Sequence, residues 1–562
     1  MRQNVNLILA AGIALTITGC SKKMNQFAAD YFTTNPNPLE VVGTSVPATV
    51  TGNVPPKFFV KDAIVTVTPV LKYGNYQTAS APVSYQGEKV RGNNPVISNA
   101  NGGIVTIPAD FPYTPQMLKS ELYLDFKVKQ GKKEYVLPRV KVADGVIATA
   151  ALASAESVVP AIAPDKFQRI INEKYSADIR FLINQATIRP VELKTAQMET
   201  FNKDLSSVHS DTAKVIKEIN ISSYASPDGS YEFNTKLAEK REINTTSYLE
   251  NQLKKDKITE FGELTAQFTP EDWEGFQKLV AQSNIQDKDL ILSVLSMYKD
   301  PEQREKEIRN LSSVFETLET DILPQLRYSR ITASVDVIGK SDEQINKLFD
   351  TNPAELTVDE MLYAATLTDN LARRKAIYQA VTKYYPNDFR GFNNLGAIQY
   401  QEKDYAAAQA SFQKAEKLAP KNAEVQMNLG LIAMINHDYA TANRCFGNAG
   451  GLDDLGNALG VYYLKQGNPS AAVRAFGNSK TNNAAVAQIL AKDYSKAKVT
   501  LASIPAPDAT TYYLMAVVGA RTNNSQMVTS SLRQAIKLNK DFASRAANDI
   551  EFSKFNLTGV LN

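Results

Sequence analysis

The chain has 562 residues, of which 43% are hydrophobic and 22% charged, and a net charge of +3. That length exceeds what one hydrophobic core supports, so several globular domains are expected. The near-neutral balance, with no long basic patch interleaved with aromatics, points away from nucleic acid. The two histidines, His209 and His437, lie far apart, and neither has metal-ligand spacing. No G-x-S-x-G, phosphate-loop or dinucleotide fingerprint occurs. Neither enzymatic activity nor a metal or cofactor is expected. A glycosidase-type carboxylate pair, which needs no linear motif, is the enzymatic alternative left open.

The chain opens with Arg2, an apolar run over 7–16, and Thr18-Gly19-Cys20. A charged start, a short apolar core and small residues describe a secretory signal, and the run is too short to span a bilayer. The ending resembles the bacterial lipobox. That resemblance implies cleavage after residue 19 and acylation of Cys20, which would anchor the chain in outer-membrane lipid at roughly 0.8 kcal/mol per buried methylene. Ser21-Lys22-Lys23 carries neither an aspartate at 21 nor an acidic cluster. By analogy with the sorting codes of enterobacteria and Bacteroidetes, the periplasmic face of the outer membrane is expected. Cys445 is the other cysteine, so the mature chain has no intrachain disulfide, and its apolar neighbours predict a buried structural thiol.

Residues 20–56 are polar and proline-bearing and read as a tether. Residues 57–147 are β-branched and aromatic runs punctuated by Gly-Asn and Asn-Gly, which predicts a small antiparallel sandwich acting as a binding or spacer module. Residues 148–170 are rich in Ala and Pro and read as a linker.

Within 171–340, Ile219 and Ile221 alternate with polar residues up to Tyr224, and Pro227-Asp228-Gly229 makes a turn. Phe233, Leu237, Arg241, Thr245 and Tyr248 then recur at helical spacing. Asn234, Leu237 and Arg241 share one helical face. With the N–H groups of the helix start they would form a small anion-receiving site. The run Asn234-Thr-Lys-Leu237-Ala-Glu-Lys-Arg241 resembles the OmpA-like peptidoglycan-binding domain, as do residues 178–190 and 326–337. The resemblance implies an α/β fold in which an aspartate after the second strand and the helix arginine clasp diaminopimelate. Asn234 and Arg241 match; the aspartate position falls on Ser226, with Asp228 two residues on. The candidate peptidoglycan-binding set is therefore Ser226, Asp228, Asn234, Leu237 and Arg241. A polar helical insertion is expected at about 251–325, with helix starts at Pro270 and Pro301. It resembles a variant of Bacteroidetes OmpA-family proteins. It holds the sole tryptophan, Trp273, expected in the insert's own core, with a partner contact as the alternative.

From 359 to 556 the text repeats. Leu395-Gly396, Ala408, Phe412 and Ala415 are followed by Leu429-Gly430, Ala442, Phe446 and Ala449, then by Leu459-Gly460, Ala472 and Phe476. This resembles the tetratricopeptide repeat and implies an α-solenoid of about five hairpins whose groove takes a protein or peptide partner. A plain helical bundle is the alternative. The fold class expected is thus multidomain: β-sandwich, OmpA-like α/β domain with a helical insertion, and α-solenoid. Two functions fit. One is a lipid-anchored scaffold that contacts peptidoglycan and binds a protein through its repeats. The other is an OmpA-like fold without murein binding, serving as an assembly or accessory factor of an outer-membrane complex or surface fibre.

Overall fold

A computed structural model describes residues 23–285, 288–310 and 312–561; the expected signal peptide and Cys20 lie outside the described residues. The chain forms two compact units: the described residues up to Pro164 together with those from Thr368 onward, and Asp165–Leu367.

In the first unit, alternating burial along Ser45–Val54 and Ala63–Tyr73 marks strands with one face inward. A three-stranded antiparallel sheet runs Phe32–Asn35, Ser45–Val54, Gly103–Pro112. A six-stranded sheet is centred on Ala63–Tyr73 and Ser120–Gln130. Val50 and Ile107 of the first sheet share one core with Val65, Leu124 and Phe126 of the second. The expected tether is therefore shorter than 20–56, because most of its latter half is already strand. Pro47, which as a proline suggests a tether, sits within the strand Ser45–Val54.

The same unit holds five helical hairpins: Phe389–Gln401 with Tyr405–Leu418, Ala423–Ile435 with Tyr439–Asn448, Leu455–Lys465 with Pro469–Phe476, Asn482–Leu490 with Tyr494–Ala502, and Ala509–Arg521 with Ser525–Leu538. Small residues set their spacing. A Cβ on Gly396, Gly430 or Gly460 would fall 2.7, 2.4 and 2.5 Å from the rings of Phe412, Phe446 and Phe476. Each glycine thus lets an aromatic of its own hairpin press against the helix backbone. The hairpin turns also repeat. Lys403, His437, Gly467, Lys492 and Asn523 adopt positive φ and end the first helix. The next residue, Asp404, Asp438, Asn468, Asp493 or Asn524, accepts a backbone N–H to start the second. Arg521 of the solenoid pairs with Glu40 of the sandwich at 3.1 Å and with Glu551.

The second unit is built on a four-stranded mixed sheet ordered Ile170–Arg180, Tyr328–Ile338, Lys214–Tyr224, Glu263–Thr269. The last two strands pair in parallel, which requires a crossover, supplied by the helix Tyr231–Lys255. Helices Ala196–Ser210 and Tyr231–Lys255 bury Met198, Phe201, Leu249 and Leu253 against Ile219, Ile221, Ile331 and Val335. The insertion expected from 251 begins later. The helix runs to Lys255, and Glu263–Thr269 is an edge strand whose mostly exposed side chains left no apolar run to read. The insert helices, starting at Trp273–Gln282, have their own core of Phe276, Val280, Ile291, Leu318 and Leu326. Val358–Ala364 also belongs to this unit, so the repeat array opens after the expected residue 359. No helix among the described residues is long and apolar enough to cross a membrane.

Candidate functional site

The second unit brings together the residues expected to bind peptidoglycan, and it ties each to the protein itself. Strand Lys214–Tyr224 ends at buried Ala225 and Ser226, and Ser230 caps the following helix by accepting the N–H of Phe233. Asp228 accepts from the Ser226 hydroxyl at 2.7 Å and from Arg327 Nη2 at 2.9 Å. Arg327 Nε also reaches Ser226 Oγ at 3.2 Å. The Asp228 carbonyl accepts from Arg309 of the insert. Asn234 is buried; its amide donates to Gly229 O at 2.9 Å and to Glu271 Oε1 at 3.4 Å. Glu271 in turn accepts from the Trp273 indole at 2.9 Å, and burial pushes its carboxyl up. Leu237 is half-buried on the same helix.

Arg241 has 0% of its surface exposed. Its Nε donates to Gln185 O at 3.0 Å, Nη1 to Tyr224 O at 2.8 Å and Nη2 to Leu182 O at 3.2 Å. Its guanidinium lies 5.0 Å from the centre of the Phe181 ring. Desolvation, reinforced by the neighbouring Arg327 charge, pushes it down to about 10, against the pull of Asp228. In this arrangement the arginine staples the loop after the first strand to the end of the third-listed strand. Sequence reasoning missed Arg327, Glu271 and Arg309. Glu271 reads as an ordinary helix start, and the others come from segments about 80 to 100 residues away from the turn they contact. Trp273 packs edge-on against Phe276 at 5.7 Å between centroids, at the margin of the insert core.

The first unit holds a second candidate, on the face made by the first helices of the hairpins. It is occupied by residues 153–163, inside the stretch expected to be a linker. Asn394 donates to Ala163 O at 3.0 Å and accepts from Ala163 N at 2.8 Å. Asn428 does the same with Ala161, at 2.8 Å in both directions. Asn483 repeats it with Ser154, at 2.9 and 3.0 Å. Asn393 also donates to Ala161 O at 3.0 Å, and the Tyr400 hydroxyl to Ala155 O at 2.7 Å. These asparagines are at most 4% exposed. A buried carboxamide left unpaired costs about 1–3 kcal/mol, so this ladder requires a main chain opposite it. Ala153, Ala155, Val158 and Ala161 enter the solenoid core. The signal for the ladder is present in the sequence: Asn-Leu-Gly occurs at both 394–396 and 428–430, so the repeated unit includes the asparagine as well as Leu-Gly.

A cleft of about 1540 Å³ also lies between the sandwich and residues 541–561, bordered by charges of both signs, including Lys72, Glu121 and Arg545. Among the described residues, no group of three or more His, Cys, Asp or Glu side chains could hold a metal ion.

The family described as Tetratricopeptide repeat matches residues 389–422. No curated protein matches the chain. Solved structures similar to it include a tetratricopeptide repeat protein from Parabacteroides merdae, at 11% identity and a TM-score of 0.30, covering 37% of this chain and 91% of that one. Pseudomonas aeruginosa PilF follows at 16% identity and 0.29, covering 35% and 96%. PilW, a type IV pilus biogenesis factor, follows at 17% and 0.28, covering 34% and 96%. The family match places a tetratricopeptide repeat at residues 389–422, spanning the first hairpin of the array, and such repeats suit protein–protein interaction.

Proposed function

We propose that the chain is a non-catalytic scaffold of the bacterial envelope: anchored in the outer membrane through acylated Cys20, facing the periplasm, and binding a protein partner through its repeat-bearing unit. In this reading the α/β unit has an OmpA-like architecture without the OmpA-like ligand, and the protein serves as an assembly or accessory factor. One observation carries it. Arg241, the residue the resemblance would place on the murein stem, is wholly buried, and each of its three guanidinium nitrogens already bonds a carbonyl, of Gln185, Tyr224 and Leu182. The acid beside it, Asp228, is already neutralised by Arg327. A ligand would have to break these bonds before making its own.

The second reading, contact with peptidoglycan, is favoured by the Asn234–Arg241 spacing on one helix. Cosedimentation of the acyl-free chain with purified murein separates the two. No sedimentation is expected; sedimentation that is lost on Asn234→Ala would reinstate wall binding. Mass spectrometry of native material should find acyl groups on Cys20, and a pull-down from native membranes should find one stoichiometric partner. Turnover of murein fragments by the purified chain would reject the non-catalytic reading.

A further inference from the structure

The contacts between residues 153–163 and the repeats have a chemistry of their own. Nearly every polar bond the repeats make to this strap goes to its main chain: Asn394 to Ala163, Asn428 and Asn393 to Ala161, Tyr400 to Ala155, and Asn483 to Ser154. Two contacts read a side chain: the bond from Asn483 to the Ser157 hydroxyl at 3.0 Å and the ion pair of Lys403 with Glu156 at 3.8 Å, both at exposed strap residues. The strap residues that face inward are small: Ala153, Ala155, Val158, Ala161 and Ala163 are all buried. Each of three asparagines offers one donor and one acceptor to a single residue, as a neighbouring β-strand would. Such a face selects a main chain with one tight helical turn, as at Ala155–Ser157, and small side chains, and depends little on sequence beyond that.

We infer that this face is a peptide-binding groove held closed by the chain's own strap, and that its exchange ligand is an alanine-rich segment of another protein that adopts the strap's path, including its turn at Ala155–Ser157, and replaces residues 153–163 bond for bond. The inference rests on the protein-binding reading above and deepens it. Because the hydrogen bonds address main chain, the exchange costs little in bonding. What opposes it is tethering: a strap attached to both the sandwich and the next unit competes at an effective concentration on the order of millimolar. The strap thereby sets a threshold that only a high local concentration, or a ligand with contacts beyond the ladder, overcomes.

The measurement uses a fluorescent synthetic peptide of residues 150–166, so an absent native partner and a closed groove give different results. In the full-length chain, Ala161→Arg with Ala163→Arg cannot seat in sites that are 7% and 1% exposed. This variant should bind the peptide at least about a hundredfold more tightly than the wild type, the gain expected from removing an intramolecular competitor. Adding Asn394→Ala and Asn428→Ala should abolish the gain. A folded double-arginine variant that ignores the peptide overturns the inference, as does a wild type that binds it equally well. Strap exchange between two copies, seen as a dimer by light scattering, would replace the proposed foreign ligand by a second copy. If the variant does not fold, hydrogen exchange on the wild type decides: the Ala161 and Ala163 amides should open locally, faster than those of Ala423–Ile435. Equal protection would mean the strap is never released.

Discussion

Arg241→Ala distinguishes a ligand-binding arginine from a structural one. An exposed ligand contact can be removed with a stability change within about 0.5 kcal/mol. Here the truncation removes donors from the carbonyls of Leu182, Gln185 and Tyr224, each bond to a charged group being worth roughly 1.5–3 kcal/mol. It also removes the contact with the Phe181 face, worth on the order of 1 kcal/mol. Against this, the buried guanidinium no longer carries its desolvation cost, and the carbonyls of exposed Leu182 and Gln185 can recover water. The balance is a loss of about 3–5 kcal/mol, typical of removing a buried, bonded charge. For a unit of the size of Asp165–Leu367 that lowers Tm by roughly 6–20 °C. The sole tryptophan, Trp273, lies in this unit, so its fluorescence follows the unit's unfolding without contribution from the rest of the chain. Arg241→Lys should lose most of the same stability, since one ammonium cannot reach carbonyls spread as these are. An unchanged Trp273 melting curve in Arg241→Ala would refute the structural assignment and return the residue to the ligand.

Further predictions concern the first unit. Gly430→Ala should lower stability despite a gain in helix propensity of up to about 1 kcal/mol, because its Cβ would fall 2.4 Å from Phe446; a raised Tm by circular dichroism would reject this. Adding Phe446→Leu should recover part of the loss. Glu551 is buried beside Arg521, and burial, outweighing that charge, pushes it up to about 7 from an ordinary value of 4.5. A raised acid favours the fold below its unfolded value and loses that contribution as pH rises through about 7. Glu551→Gln should therefore melt higher than the wild type at pH 8 and show little difference at pH 4.5; equal differences at both would sink the idea. Cys445 is 1% exposed and burial pushes its thiol up, so a Cys20→Ser chain should react with a thiol reagent only on unfolding, and fast native labelling would contradict its burial.

How far the sequence could be read depends on where each residue's partners lie. The hairpins were legible because their determinants are local: Gly430 and Phe446 stand sixteen residues apart and meet within one hairpin. The strand Lys214–Tyr224 and the helix after it were legible for the same reason, through alternation, a Pro-Asp-Gly turn and helical spacing. The strap was not. Ala161 and Ala163 look like linker because nothing near them in the chain explains them, and their partners lie 231 to 267 residues away. The ladder asparagines carry the complementary signal, since a polar residue repeated at an otherwise apolar position of a helix needs something to bond. Arg241 shows the opposite limit. Its type and spacing were read correctly, but a guanidinium on that helix face serves equally well to hold a ligand's carboxylate or the protein's own carbonyls. Burial decides between them, and burial depends on the 181–190 loop and the segment before Tyr328, which no local pattern places there. A motif therefore transfers a position more safely than a role: Ser226 and Asp228 bond each other and Arg327, Asn234 bonds Gly229 and Glu271, Arg241 bonds three carbonyls and Leu237 is half-buried, so the protein's own groups engage the donors and acceptors that the resemblance assigns to a ligand.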